Sequence, residues 1–520
     1  MESFAQKALE EYVNPETAVH PGDVLGSPYW NINSSQFIFA PSFQFPWLPE
    51  CRNYRFTATD KNGTAHTFDA ERPTASLSPI WAQIPTGFVT LTVSGVDKEG
   101  VAHHLVGART FFKGDPFPGR DALPKRDRSY REAALDAFRF IYEDEMVQYW
   151  LIHGVPKPDY PHNVYPAKTI DAVMRAMVQY AALYPEHREN ALQLARRAAD
   201  YMISISFPEG HPLAFLPPTY SFEGLDAAAV NEVAPAAQGC VGTTMMIYPV
   251  SAATGYLALA EATGEEKYMD AAMRIAEYYH KTVLPCGSWY LLFDCESGKP
   301  LSNNICVDFK FVDFFHTLYE KTGDTRWRDL EIGNYKYITE TCLKNYKWEG
   351  QFEDVAVSGN YRNLTHFTAD KLIGYVADNL RDDEAMVREA KDLMRYVEDQ
   401  FVVWGEFAYW PYGGTQDVVY TPAGLEQYFC YVPIDASTAT ILDSFMNMYR
   451  IDGNRLHLEK AMALADTITR MQNKTTGQIP TFFIGEMGAY GYKNFWINCQ
   501  LYTATVLLDL AKMTEENGID

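Results

Sequence analysis

The stretch that decides the fold is TGEEKYMDAAMRIAEYYHKTV, residues 263–283, in which a short polar turn leads into an amphipathic helix with small residues at three- and four-residue spacing. Four other segments repeat this design of a polar turn followed by a helix, at 185–204, 322–343, 381–401 and 451–471. A unit that recurs at intervals of about 60 to 80 residues predicts a repeat architecture.

Each of these turns follows an earlier and more apolar helix. The more apolar helices are predicted to begin near Tyr165, Gly239, Asn304, Asn363 and Asp435. A first helix over 130–145 and a last helix over 494–515 lack partners in chain order, so we expect them to pair and close a ring. Twelve helices in six hairpins predict a mainly α protein built as an (α/α)6 barrel, with amphipathic helices outside and apolar helices inside.

The alternative to a barrel is an open α-solenoid. Ring closure is favoured because the hairpin count is six and because the connections alternate in length. The turns within hairpins have three or four residues, whereas the connections between hairpins extend to about 30 residues.

Ahead of the helices, residues from about 20 to 115 have the pattern of short strands. Residues 54–58 and 88–93 alternate in polarity, and the sequences DKNG at 60–63 and DKEG at 97–100 each predict a hairpin turn. Five to seven such strands predict a small β-sandwich that resembles a fibronectin-type module. We therefore expect an N-terminal region over 1–115, a linker over 116–128 and a barrel catalytic domain over 129–520.

The composition excludes several classes of protein. A chain of 520 residues with 47% hydrophobic and 14% aromatic residues can bury a large core, unlike a disordered chain. A net charge of −23 repels phosphate backbones, so we expect no nucleic-acid partner. No apolar run nears the roughly 20 residues of a membrane span, and the first residues lack the layout of an export signal. We expect no membrane partner and a cytoplasmic location.

The cysteines and known motifs restrict the chemistry further. The eight cysteines are scattered without a C-x-x-C pair, which favours free thiols over a zinc site or a disulfide framework. The motifs H-E-x-x-H, G-x-G-x-x-G, G-x-x-x-x-G-K-[ST] and G-x-S-x-G are absent. Zinc-protease, dinucleotide, P-loop and serine-nucleophile chemistries thus have no sequence support, and we expect no metal and no cofactor.

The long connections all enter the N-terminal ends of inner helices, so we expect them on one face of the barrel, where binding and catalysis usually lie. They are rich in aromatic rings, which stack on sugars, and in carboxylates, which bind hydroxyls or transfer protons. This combination predicts a sugar site, although any single ring could serve packing instead. We expect Trp348, Tyr361 and Trp410 to line a pocket there, with Tyr428 as a further substrate-binding ring.

Glycoside hydrolysis needs two carboxyl groups, one to protonate the leaving oxygen and one to act as base or nucleophile. The candidate catalytic acids are Glu353, Asp354, Glu426 and Asp435, which lie on two of the long connections and at an inner-helix start. Asp435 could instead be only an N-cap, and Glu353 or Asp354 could be capping or solvated side chains.

Cations are few on this face, and they lie near inner-helix starts. In so acidic a chain, cations at helix N termini predict a ligand that carries a carboxylate. Arg362 could instead pair with Asp354, and His366 could be a buried core residue. Lys168 and Lys493 are two further cations. The polar residues expected to bind substrate are Asp308, Lys310, Arg362 and His366.

The helical body resembles the six-hairpin glycosidase superfamily, by architecture rather than by a sharp motif. The order of a β module and then a barrel, with YREAA at 130–134 and YPAK at 165–168, is similar to glycoside hydrolase family 154. That resemblance implies β-glucuronidase activity, which is the hydrolysis of a terminal glucuronic acid. The expected function is therefore hydrolysis of a uronic-acid-containing glycoside by paired carboxylates.

Other function classes stay open. A uronate polysaccharide lyase would use Tyr361 or His366 as its base, with Arg362 neutralising the substrate carboxylate. A non-catalytic sugar-binding protein would keep the aromatic rings without needing paired acids. A sugar epimerase of the same barrel shape also fits, but usually lacks the N-terminal β module. The expected partner is an oligosaccharide or glycoside with a carboxylate, and formation of a homo-oligomer is left open.

Overall fold

The computed structural model describes residues 34–353, 363–407, 420–428, 430–484 and 494–519. The described chain begins with strands and continues with helices. The strands ahead of the helical body are β1 Gln36–Phe37, β2 Ser42–Gln44, β3 Asn53–Thr59, β4 Ala65–Ala70, β5 Thr74–Ser76, β6 Gly87–Val96 and β7 Ala102–Lys113. A short helix, α1 Ser78–Trp81, separates β5 from β6.

Five of these strands form one sheet in the order β1-β7-β6-β3-β4, which is antiparallel except for the parallel pair β1 and β7. The predicted hairpin turn at 60–63 is confirmed, because it joins β3 to β4. Asp60 accepts hydrogen bonds from the N–H groups of Asn62 and Thr64 at 2.8 and 3.0 Å, and Gly63 has a φ of 80°. The turn at 97–100 likewise joins β6 to β7.

A second sheet of two strands, β2 and β5, covers the apolar face of the first. Alternate residues of β3 and β6 point into this core, as the sequence pattern predicts for half-buried strands. The ring of Phe43 on β2 lies 5.6 Å from that of Phe111 on β7. The structure thus confirms a small strand region before the helices, while the predicted domain boundaries at 115 and 128 stay predictions.

The helical body contains the hairpins that the repeat predicts. Its helices are α2 Tyr130–Glu143, α3 Glu145–His153, α4 Pro166–Leu183, α5 Arg188–Ile205, α6 Ala227–Val233, α7 Ile247–Thr263, α8 Glu266–Thr282, α9 Lys310–Thr322, α10 Thr325–Lys336, α11 Phe367–Asn379, α12 Glu384–Phe401, α13 Asp435–Asp452, α14 Arg455–Met471 and α15 Ile497–Glu516. Short strands lie in the connections, namely β8 Thr243–Met245, β9 Leu292–Asp294, β10 Val402–Val403, β11 Ala423–Gln427 and β12 Cys430–Pro433.

The helices close into a ring. Hairpins pair α4 with α5, α7 with α8, α9 with α10, α11 with α12 and α13 with α14, and the last helix α15 packs on α2. Among the inner helices, α15 also returns to α4, while Phe309 and Tyr375 link α9 to α11 with ring centroids 5.9 Å apart. Within the described residues there are six inner and six outer helices, so the predicted (α/α)6 barrel is confirmed.

The polar turns of the repeat end the inner helices. Gly264, Gly323 and Gly453 have φ angles of 73°, 70° and 68°, in the left-handed region that favours glycine. Each donates its N–H at 2.8 Å to the carbonyl four residues earlier, on Ala260, Tyr319 and Tyr449 respectively. A T-G or D-G step therefore marks the end of an inner helix.

Several helix boundaries differ from the sequence predictions. The first helix ends at Glu143, because Asp144 accepts the N–H of Met146 at 2.8 Å and starts the separate helix α3. The inner helices α7, α9 and α11 begin four to eight residues later than predicted. The residues ahead of these helices pair in extended form instead, in β8 and in the bridge between Thr365 and Gln427. Among the described residues, no helix is long and apolar enough to cross a membrane.

The strand region docks on the outer helix α12. The carboxylate of Asp399 accepts hydrogen bonds from the backbone N–H groups of Ile38 and Phe39 at 2.6 and 2.7 Å. The adjacent Gln400 donates to the carbonyl of Gln36 at 2.8 Å. The strands and the barrel thus share a polar joint that lies beside the connection carrying β10 and β11.

Candidate functional site

The N-terminal ends of the inner helices lie at one end of the barrel, because inner and outer helices alternate along the chain. The long connections enter at this end. Five inner helices have a titratable side chain within their first three residues, namely Lys168 in α4, Tyr248 in α7, Lys310 in α9, Asp435 in α13 and Cys499 in α15. Chemistry-bearing residues that are distant in sequence therefore gather on the predicted face.

An enclosed ion pair joins Lys168 to Glu353, which lies in the connection before α11. The side chains are 22% and 6% exposed, respectively. The Lys168 ammonium also lies 4.6 Å from the ring centroid of Trp496 and 5.8 Å from that of Tyr165. The backbone N–H of Glu353 donates to the hydroxyl of Tyr248 at 3.3 Å. The pair is thereby connected to the starts of three inner helices.

Two further acids lie within electrostatic reach of this pair. Burial opposes the charge of Lys168, but the negative charges of Glu353 and Glu426 raise its pKa above the ordinary value. Burial raises the pKa of the neighbouring Cys499 thiol, and the charges of Asp435 and Glu426 raise it further. Three of the four predicted catalytic acids thus surround one lysine and one thiol.

Glu426 lies on β11, which pairs with β10 on one side and β12 on the other. Gly424, two residues earlier, donates its N–H to the hydroxyl of Thr438 at 2.9 Å. A Cβ atom at Gly424 would lie 2.8 Å from backbone atoms of Ser437 and Thr438. This close approach holds the strand that carries Glu426 against the helix that begins with Asp435.

Asp435 is fully buried as the first residue of α13. Its carboxyl group accepts the N–H of Ala436 at 2.7 Å and the hydroxyl of Thr503 at 3.2 Å. Burial nevertheless raises its pKa well above the ordinary value, and these hydrogen bonds oppose the rise only in part. The alternative that Asp435 is the N-cap does not hold, because Ile434 occupies that position.

Asp308 and Lys310 adjoin the cluster at the start of α9. The Asp308 carboxylate lies 3.4 Å from the Lys310 ammonium and accepts the Lys310 N–H at 2.9 Å. The ammonium is also 5.8 Å from the ring centroid of Tyr248. Because the Lys310 side chain is 40% exposed, its charge can reach a ligand at the barrel end.

His366 is fully buried just before α11. Its Nδ1 contacts the carboxylate of Asp370, which in turn accepts the hydroxyl of Ser444 at 2.7 Å. Within the part of the chain that the structure describes, its buried Nε2 has no hydrogen-bond partner. A carboxylate that orients a histidine in this way is an arrangement that general bases use.

Two predicted substrate-binding rings lie in the core instead of facing solvent. Trp348 is fully buried, and its indole N–H donates to the carbonyl of Thr365 at 2.9 Å. Tyr428 is 3% exposed, donates its hydroxyl to Gln400 at 2.9 Å and accepts one from Ser34 at 3.3 Å. The expectation that these rings line an open pocket is wrong, because both pack the connections onto the body of the protein.

The remaining predicted residues lie outside the described part of the chain. They are Asp354, Tyr361, Arg362 and Trp410. Their roles stay predictions, as does a pocket that would include Tyr361 and Trp410.

Sequence reasoning did not include Lys168, Tyr248, Trp496 and Cys499 among the predicted site residues. The signal that could have found three of them is positional, since Lys168, Tyr248 and Cys499 occupy the first turn of an inner helix as Asp435 does. Trp496 directly precedes the last inner helix.

The cluster combines one carboxyl group that favours its protonated form with two carboxylates near a cation. Such a separation of protonation states is what acid–base chemistry on two carboxyl groups requires. No group of three or more histidine, cysteine, aspartate or glutamate side chains suited to a metal ion occurs among the described residues.

No protein-family model matches this chain, and no curated protein matches it. Solved structures do share its fold at low sequence identity. Cellobiose 2-epimerase from Spirochaeta thermophila DSM 6192 is 12% identical, with a TM-score of 0.48 over 74% of this chain and 98% of that one.

Two further solved structures share the fold at similarly low sequence identity. A family 76 glycoside hydrolase from a bovine Bacteroides thetaiotaomicron strain is 10% identical, with a TM-score of 0.43 over 91% of this chain and 95% of that one. An unsaturated glucuronyl hydrolase from Streptococcus agalactiae is 12% identical, with a TM-score of 0.45 over 74% of this chain and 92% of that one. Superpositions of this quality carry no information about the reaction of this chain.

Proposed function

We propose that this chain is a carbohydrate-active enzyme, specifically a glycoside hydrolase that acts on a uronic-acid-containing glycoside, with β-glucuronidase as its specific activity. The observation that carries the proposal is that Glu353 and Glu426 lie near Lys168, and that these three and Asp435 lie near Cys499, at the inner-helix N termini. One acid of this cluster has a strongly raised pKa, whereas another is paired with an ammonium. Hydrolysis of a glycosidic bond needs such a difference between two carboxyl groups.

The proposed roles follow from these environments. Asp435 is the general acid, since burial raises its pKa and favours the protonated form, which gives a proton to the leaving oxygen as the bond from C1 breaks. Glu353 or Glu426 is the base or nucleophile, since Glu353 is paired with the Lys168 ammonium and Glu426 lies within electrostatic reach of it. As base, this carboxylate takes a proton from the water whose oxygen replaces the leaving group at C1. As nucleophile, it first bonds to C1, and water then displaces it while the deprotonated Asp435 takes the water proton.

The uronate part of the proposal rests on charge. Lys168 and Lys310 bring two cations to one end of a chain whose net charge is −23. Both are in the first turn of an inner helix, where the helix dipole also favours an anion. The similarity to glycoside hydrolase family 154 implies the same substrate class.

A panel of 4-nitrophenyl glycosides tests the proposal. We expect release of nitrophenol from the β-D-glucuronide and at least tenfold less from the β-D-glucoside and β-D-galactoside, because these lack the carboxylate. Equal rates on all three would refute the uronate assignment. No release from any glycoside of the panel would refute the hydrolase assignment for these substrates.

The buried His366–Asp370 pair favours a second candidate, which is proton abstraction by His366 in a uronate lyase or sugar epimerase. A lyase forms a C=C bond in the product, and this bond absorbs near 235 nm, whereas hydrolysis leaves no such absorbance. Incubation with a uronate polysaccharide therefore separates the two. An increase at 235 nm that is lost in His366→Gln but kept in Asp435→Asn would favour the lyase.

A further inference from the structure

We propose that Lys168, standing over the ring of Trp496, is the residue that binds the substrate's carboxylate. This inference rests on the proposed function and deepens it, because it names the group that would distinguish a uronide from a neutral glycoside. The sequence pattern predicts Arg362 as a cation for the substrate's carboxylate. We assign the main contact to Lys168 at the start of α4 instead.

The Lys168 ammonium has more hydrogen-bond donors than it uses within the described chain. An ammonium has three N–H donors. Among the residues that the structure describes, only Glu353 accepts a hydrogen bond from this one. Because the side chain is only 22% exposed, its remaining donors gain more from an anionic ligand than those of a surface lysine would.

Glu353, the ion-pair partner of Lys168, has a carboxylate oxygen that can accept a further hydrogen bond. Oε2 of Glu353 is buried and has no hydrogen-bond partner within the described chain. A buried carboxylate oxygen without a partner is costly, and a sugar hydroxyl can supply the missing donor. The ion pair thus offers donors for a carboxylate and an acceptor for a hydroxyl, which a uronic acid carries on one ring.

Aromatic rings lie next to the Lys168 ammonium, which stands over Trp496. The rings of His162 and Trp496 stack with centroids 3.8 Å apart. The ring centroid of Tyr165, three residues before Lys168, lies 5.6 Å from that of Trp496. Packing on both neighbours fixes the Trp496 ring, which is itself only partly buried. The stack also holds the Lys168 ammonium, 4.6 Å from the Trp496 ring centroid, in place at the start of α4.

Lys310 is the competing cation at this end of the barrel. Each lysine has one carboxylate neighbour, Asp308 for Lys310 and Glu353 for Lys168, but Lys310 is more exposed, at 40% against 22%. Solvent weakens its attraction for an anion, so we assign the main contact to Lys168. The experiment includes both lysines.

Binding of two hydrolysis-resistant probes, phenyl 1-thio-β-D-glucuronide and phenyl 1-thio-β-D-glucoside, is measured by titration calorimetry. The ratio of the two dissociation constants reports carboxylate recognition and does not require turnover. We expect the wild-type protein to prefer the glucuronide by about ten- to a hundredfold, as a charge-assisted contact gives. Lys168→Met should abolish this preference, while Lys310→Met should keep most of it.

Two further variants separate recognition from folding. Lys168→Met leaves Glu353 buried without a partner, so the double variant Lys168→Met/Glu353→Gln serves as its stable counterpart and should also lose the preference. Glu353→Gln alone should keep or strengthen the preference, because the ammonium loses its internal competitor. If the ion pair were purely structural, the two single variants would be less stable than the wild type. The ratio of the two dissociation constants would then be unchanged in the two single variants and in the double variant.

Lys299→Met, at an exposed lysine on another long connection, is the matched control and should bind as the wild type does. Retention of the glucuronide preference in both Lys168 variants, or its absence in the wild type, would overturn the inference. If the preference follows Lys168 but nitrophenyl glucuronide is not hydrolysed, the proposed reaction fails and the binding assignment stands.

Discussion

Asp435 shows how one residue can suggest a reaction. It is fully buried, it is not the helix cap, and its pKa is raised by desolvation. Burial thus favours the protonated form of the carboxyl group, which is the form that can donate a proton to a leaving group. Its value to the reaction depends on how much the leaving group needs that proton.

The leaving group therefore provides a test of Asp435. Asp435→Asn should lower turnover of methyl β-D-glucuronide on the order of a hundredfold or more, because an alkoxide leaves poorly without protonation. Turnover of 2,4-dinitrophenyl β-D-glucuronide should fall by less than about tenfold, since that phenolate leaves unaided. Steady-state rates on both substrates check this, and an equal loss on both would argue against an acid role for Asp435.

At the residue scale, the catalytic roles of the acids stay predictions, whereas two of the predicted rings lie in the core. The places of Glu353, Glu426 and Asp435 at one end of the barrel were accessible to prediction because the connections and the helix start that carry them follow from the hairpin repeat. Trp348 and Tyr428 were not, because an aromatic residue in a long connection can point either to a ligand or to the core. Only the packing around each ring decides between these, as it does for Tyr428 between Phe401 and Ser34.

At the element scale, the strand β11 is what brings Glu426 to Asp435. Its close contact with α13 needs a residue without a side chain, and Gly424 is that residue. The glycine is therefore required by contact distance, because a Cβ atom there would meet helix backbone at 2.8 Å.

Gly424→Ala should lower the free energy of unfolding by about 1–3 kcal/mol, because the strand must move away from the helix. It should also lower turnover, because Glu426 moves with the strand. Gly374→Ala in α11 is the matched control, since its Cβ would meet only Asn447 at 3.6 Å, an ordinary contact. Urea unfolding measures both variants, and a Gly424→Ala protein as stable as the wild type would contradict the contact.

The helical hairpins could be predicted from sequence, since the Gly turns and the alternation of apolar and amphipathic helices are local signals. The starts of α7, α9 and α11 could not. The residues ahead of them pair with distant partners, as Thr365 does with Gln427, and such pairing leaves no periodic pattern in a short segment.

At the scale of the whole molecule, the strand region and the barrel are joined through Asp399. Burial raises the pKa of this carboxyl to about 7, although the N–H groups of Phe39 and Ile38 oppose the rise. These partners are 360 and 361 residues apart in sequence, so no local pattern could have predicted the joint. Ring closure, by contrast, could be predicted from the count of six hairpins and from the unequal lengths of the alternating connections.

This joint makes stability depend on pH. A carboxyl whose pKa rises from 3.8 to about 7 on folding stabilises the folded state fully below pH 3.8, and this contribution is lost as pH rises through 7. Asp399→Asn removes the titration while its amide oxygen can still accept both N–H groups. Between pH 5 and pH 8, the variant should gain on the order of 2 kcal/mol relative to the wild type. Urea unfolding at both pH values measures this, and a difference that does not change with pH would exclude Asp399 as its source.

The most direct test of the account is the turnover of methyl β-D-glucuronide by amide variants of the cluster. Glu353→Gln, Glu426→Gln and Asp435→Asn keep the side-chain shapes and remove proton transfer. We expect at least two of them to lose on the order of a hundredfold or more in turnover while remaining folded. Asp382→Asn, in the turn at the opposite end of the barrel, should retain wild-type turnover. Near-wild-type turnover in all three cluster variants would contradict the account.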